Sequence, residues 1–120
     1  MENNHVAIIE TDKHISISFY VENKEILTIG EKMNEINEEA YMNGYNWEAF
    51  FNYYLAKNAP DVLDGMESDP EAGMYSAYYK KTPENKLKAE KFMKIICSLV
   101  DGEEELYRIV KEEGDEIEWD

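Results

Sequence analysis

Asp69-Pro70-Glu71-Ala72-Gly73-Met74-Tyr75-Ser76-Ala77-Tyr78-Tyr79 sets two carboxylates beside a proline and runs directly into an aromatic segment. Read as chemistry, Asp69 and Glu71 are a carboxylate pair suited to acid/base or metal work, given further ligands or a pocket. Read as geometry, Asp69 suits the first position of a type I turn and Pro70 the second, while Gly73 can take the left-handed conformation that completes a hairpin. The geometric reading predicts strands over residues 66–69 and 74–79. In the second strand Met74, Ser76 and Tyr78 share one face, and Tyr75, Ala77 and Tyr79 the other. Both faces carry aromatics, so this strand is either covered on both sides or exposes tyrosines on one. Glu71 stands where the turn prescribes no residue type, which leaves it available to a partner.

Upstream, Val6-Ala7-Ile8-Ile9 and the alternating His14–Val21 segment flank Thr11-Asp12-Lys13, a pattern that predicts an antiparallel hairpin with Ile15, Ile17, Phe19 and Val21 on its core face. Apolar residues Ile29, Met33, Ile36 and Ala40 recur at helical spacing, predicting a helix over Ile29–Tyr41. Asn43-Gly44-Tyr45-Asn46 reads as a turn, with Asn46 the N-cap of a helix Trp47–Lys57 that carries Glu48 in its first turn. Phe50, Phe51, Tyr54 and Leu55 form that helix's buried stripe, with Trp47 one turn before. Ala59-Pro60 breaks it, and a short helical turn from Pro60 to Asp64 ends at Gly65.

Downstream, Thr82-Pro83 starts a helix whose buried face is Leu87, Ala89, Phe92, Met93, Ile96, Leu99 and Val100. Asp101 with Glu104 three residues on resembles a capping box, opening a last helix Glu103–Glu113 that buries Leu106, Ile109 and Val110. Residues 1–4 and the acidic tail 114–120, with Ile117 and Trp119, are expected to be peripheral. The whole is an α+β single domain spanning 1–120, in which an antiparallel sheet of two hairpins packs against about four helices.

The 120 residues carry a formal charge of −15, and its distribution is uneven. Residues 1–79 hold 15 acidic and 4 basic side chains, residues 80–100 hold 2 and 6, and residues 101–120 hold 10 and 2. Such a surface repels nucleic acid and anionic membrane and steers a basic protein toward it. Solvation alone also explains much of the charge, including the Lys80–Lys94 patch and the Glu103-Glu104-Glu105 run. No apolar run approaches the roughly 20 residues of a membrane span, and Met1–His5 lacks the features of a secretory signal, so a cytoplasmic protein is expected. The single cysteine, Cys97, excludes an internal disulfide and reads as a core residue of an apolar helix. His5 and His14 share no metal-ligand spacing, no glycine-rich phosphate loop is present, and neither histidine suggests a serine elbow.

Two segments in this order, Asn43-Gly44-Tyr45-Asn46-Trp47-Glu48-Ala49 and Asp69-Pro70-Glu71-Ala72-Gly73-Met74-Tyr75, with a helix ending before Pro60 between them and Ala77-Tyr78 after, resemble the immunity protein 51 family of bacterial polymorphic toxin systems. The resemblance covers roughly residues 14–113. Asn46 stands where the family pattern has an aspartate; both cap helices well. The resemblance implies a small α+β cytosolic protein that binds and neutralises a cognate toxin domain, is not an enzyme and needs no cofactor. Gly44, Tyr45, Trp47, Asp69, Pro70 and Gly73 are then structural signature residues. On the residues themselves, Glu71 with exposed aromatics at Tyr75 or Tyr79 would form an anchor-and-charge patch for a basic toxin, and Glu103 and Glu104 a competing acidic surface. An acidic scaffold module for another basic protein, and a small enzyme built on Asp69 and Glu71, are the alternatives.

Overall fold

The computed structural model describes residues 5–120; the expectation for residues 1–4 lies outside them. β1 (Val6–Glu10) and β2 (His14–Phe19) form the predicted antiparallel hairpin. β3 (Glu67–Ser68) and β4 (Tyr75–Lys80) form the second, and the sheet runs in the order β1-β2-β4-β3. The register of β2 against β4 settles the ambiguity of the aromatic strand. Phe19 lies opposite Tyr75, Ile17 opposite Ala77 and Ile15 opposite Tyr79. Residues directly opposite in an antiparallel pair share a face, so Tyr75, Ala77 and Tyr79 must follow the apolar residues of β2 into the core.

Tyr75 and Tyr79 are therefore buried, at 0% and 1% exposure, and the role of exposed anchor expected of them is corrected. Tyr79 satisfies its hydroxyl by donating to the Val62 carbonyl at 2.6 Å. Tyr78, on the outer face, is half-buried with its ring edge-on to His14.

The hairpin turn also differs from its prediction. Asp69 N–H donates to Ser76 O at 2.8 Å and Glu71 N–H to Met74 O at 2.7 Å, so the ladder continues past Pro70 and the loop is the two residues Ala72-Gly73. Pro70 falls between these bonds on an edge strand, where its missing N–H costs nothing. Gly73 does not take the left-handed conformation; among the described glycines only Gly65, ending a helical turn, has positive φ, at 80°.

α1 (Lys24–Ile36) lies five residues earlier than its periodicity suggests at both ends. Asn23 caps it, accepting from Glu25 N–H at 3.0 Å, and Ile26 joins Ile29 and Met33 in the buried stripe. Ile36, expected inside, is exposed. α2 (Gly44–Asn58) starts three residues early, and α3 (Pro60–Leu63) follows as expected. α4 (Pro83–Asp101) is capped by Thr82, whose hydroxyl accepts from Asn85 N–H at 3.0 Å. Leu87, placed on its buried face by periodicity, is exposed, and the buried stripe of α4 begins at Ala89. α5 (Glu103–Glu113) has Gly102 at its N-cap and no side-chain cap, so the Asp101 capping box does not form.

Trp47, Phe50 and Phe51 of α2 meet Phe19 of β2, Tyr75 of β4 and Phe92 of α4 in one aromatic cluster centred on Phe51. Each such ring pair adds about 0.5–1.5 kcal/mol beyond burial, and here they join four elements. The tail is not peripheral: residues 114–116 form a 3-10 turn, Ile117 is 5% exposed, and the Trp119 indole donates to Gly114 O at 3.1 Å. Burial of Ile117 in the core favours the ordered tail.

A surface ion network ties α2 to α5. Glu113 accepts from Lys57 at 2.6 Å, from the Tyr53 hydroxyl at 2.5 Å and from Arg108 at 3.2 Å. The Lys57 ammonium, then the Tyr53 hydroxyl, hold its carboxyl down at about 2, against 4.5 for an unconstrained glutamate. A depressed carboxyl pKa stabilises the fold above the unfolded value and loses that contribution as pH falls toward the folded one. Glu113→Gln is accordingly expected to lower stability modestly at neutral pH, as suits a surface network. Urea unfolding should show the gap closing between pH 4.5 and about 2; a gap that acid leaves unchanged would refute the assignment.

Candidate functional site

The two segments singled out in the sequence lie in direct contact. Asn43, in extended conformation, caps α2 by accepting from Asn46 N–H at 3.0 Å. Gly44 N–H then donates to Ala72 O at 2.9 Å, across to the tip of the β3–β4 hairpin. A Cβ on Gly44 would sit 1.7 Å from Glu71 O and 2.5 Å from Met74 O. Only glycine lets the two backbones approach this closely. Asn46 is not the cap but a buried bridge: its amide donates to Tyr41 O at 2.8 Å and accepts from Asp120 N–H at 2.7 Å. An aspartate could not make the first of these bonds. Glu48 accepts from the Ser68 hydroxyl, tying α2 to β3 as well.

Beside this junction opens a cleft of about 440 Å³. Its walls are Leu27, Gly30, Glu31 and Asn34 of α1, Tyr41 to Asn43 of the connector, and Ala72 and Gly73 of the hairpin tip, with Val21 and Glu22 completing it. Tyr41 is 69% exposed and Leu27 44%. On the other side of Tyr41 a second, more polar hollow of about 650 Å³ is bounded by Glu38, Glu39, Glu118 and Asp120. No lysine or arginine lines either one.

The expected contact residues scatter around this arrangement. Glu71 is exposed at the hairpin tip, next to the cleft wall at Ala72. Asp69 is exposed one ladder position back, so the pair lies open on a strand and lacks the enclosure that acid/base chemistry requires. Glu103 pairs with Lys32 at 3.7 Å, and Glu104 is exposed on the first turn of α5; neither lines the cleft. Half of the Lys80–Lys94 patch is internally balanced, with Lys86 to Glu10, Lys88 to Asp64 and Lys91 to Asp61.

The family model of immunity protein 51 matches residues 6–115. The chain belongs to the immunity protein 51 family. No curated protein and no solved structure matches it. In this immunity protein the matched span contains both sides of the Gly44–Ala72 junction. It stops short of the final residues, although Asp120 contributes the hydrogen bond that completes Asn46. Leu27 and Tyr41 were not singled out from the sequence, since helical periodicity assigns Tyr41 to a helix end and takes no account of Leu27. The sequence points instead to Tyr75 and Tyr79 as exposed aromatics, and the sheet register buries both.

Proposed function

We propose that this immunity protein 51 family member binds and neutralises a cognate toxin domain by protein–protein contact, in the cytoplasm of the producing cell and without catalysis or a cofactor. The family match over residues 6–115 carries the reading. The formal charge of −15 favours a basic toxin domain, which it would draw in at long range. No described helix is long and apolar enough to cross a membrane, in keeping with action on a diffusing partner.

The test is co-expression with the C-terminal domain of a secreted toxin encoded in the adjacent gene. Growth should be rescued, and the purified pair should associate roughly ten-fold or more slower when salt is raised from about 0.02 to 0.5 M, because screening removes the steering. Toxicity undiminished by the folded immunity protein would refute the reading. A salt-independent association rate would refute the basic character of the partner.

A further inference from the structure

Resting on the toxin-binding reading, we infer that the cleft between α1 and the β3–β4 hairpin tip is the docking site, and that its occupant is a cationic segment of the toxin domain. Three observations converge there. The walls are largely apolar, and two large side chains, Tyr41 and Leu27, stand exposed at the mouth where burial would be favourable. Glu22 and Glu31 rim the same opening. Among the described residues neither takes part in an ion pair, whereas Glu10, Asp61, Asp64, Glu103, Glu105, Glu112 and Glu113 are each matched by a lysine or arginine within 4 Å.

Two carboxylates with no cation beside them thus stand at the rim of an apolar hollow that no lysine or arginine lines. An arginine or lysine entering the cleft would lay its aliphatic stem along Leu27, place its cation over the Tyr41 ring and meet the two carboxylates as it sheds water. The more polar hollow beyond Tyr41, rimmed by Glu38 and Glu39, extends the same field, so flanking basic residues would be steered to this end of the molecule. A phosphate-bearing ligand would be repelled by the same groups, which selects a basic polypeptide over nucleic acid.

The Gly44 contact makes the site rigid. The hairpin tip that forms one wall is held against the N-terminus of α2 by the Gly44 N–H to Ala72 O bond, so the cleft is pre-shaped and little ordering cost falls on binding.

The experiment titrates the adjacent-gene toxin domain into the full immunity protein and three variants by calorimetry and stopped flow, with thermal melts as a control on folding. Tyr41→Ala is expected to weaken binding about thirty-fold, as for a central aromatic anchor, with an unchanged melting temperature because the side chain is exposed. Glu22→Gln with Glu31→Gln is expected to slow association several-fold at low salt and to flatten the salt dependence. Leu87→Ala, equally exposed on α4 but outside the cleft, should bind as the unaltered protein does. If the unaltered protein binds and the Tyr41 and glutamine variants bind equally well, the cleft is not the site while the toxin-binding reading stands. If the unaltered protein does not bind, both fall.

Discussion

Gly44→Ala is expected to cost about 3–5 kcal/mol, from overpacking against backbone and the loss of a hydrogen bond, and to lower the melting temperature by roughly 12–20 °C. The added carbon would lie 1.7 Å from Glu71 O and 2.5 Å from Met74 O, and neither atom can swing aside as a side chain would. The hairpin tip must move away by more than an ångström, breaking the Gly44 N–H to Ala72 O bond. Gly65→Ala separates this mechanism from ordinary glycine effects. Gly65 has positive φ but open space around its Cβ position, so that variant meets only conformational strain, about 1 kcal/mol. Thermal and urea unfolding of the two variants would decide it, and equal losses would show that the Gly44 contact is not the source.

Removing residues 114–120 is expected to cost about 3–4 kcal/mol, roughly 2 from the burial of Ile117 and the remainder from Trp119 and the lost hydrogen bonds. The acidic tail looks dispensable by composition, yet Ile117 is 5% exposed and belongs to the core, and the Asp120 amide satisfies the buried Asn46 carbonyl oxygen. A truncated protein that failed to protect cells would therefore report lost stability, not a lost contact surface. The diagnostic comparison is Ile117→Ala against Glu118→Gln. The first should lose about 2–3 kcal/mol and the second almost nothing, as a change to an exposed carboxylate; unchanged unfolding midpoints on truncation would overturn this account.

Much of the fold was legible because its signals are local. Alternation in His14–Phe19 announces a strand, Thr82-Pro83 a helix start and Ala59-Pro60 a break, and each appears where periodicity and capping chemistry place it. One departure arises where two residues offer the same local chemistry. Asn43 and Asn46 are equally good caps, and the choice between them is made by Gly44 reaching Ala72 and by the Asn46 amide spanning Tyr41 and Asp120. Asn23 starts α1 where the apolar spacing favoured a later start, because a single cap bond and one more buried isoleucine outweigh Ile36.

The order Gly44-Tyr45-Asn46-Trp47 and Asp69-Pro70-Glu71-Ala72-Gly73 was enough to point to the family, the apolar spacing to the α+β class, and the charge of −15 to an acidic surface. Those inferences depend on residue type, spacing and charge, which the linear chain contains in full. Which tyrosines face the core, why position 44 must be glycine, and which residues meet around an apolar cleft rimmed by Glu22 and Glu31 were out of its reach. Both faces of Tyr75–Tyr79 are aromatic, so the pairing with β2 alone assigns Tyr75 and Tyr79 inward. The cleft draws on residues 21 to 73, far apart in the chain, and exists only once the hairpin tip rests on the start of α2. Contacts between distant segments depend on the packing of whole elements, and local preference is too weak to specify them.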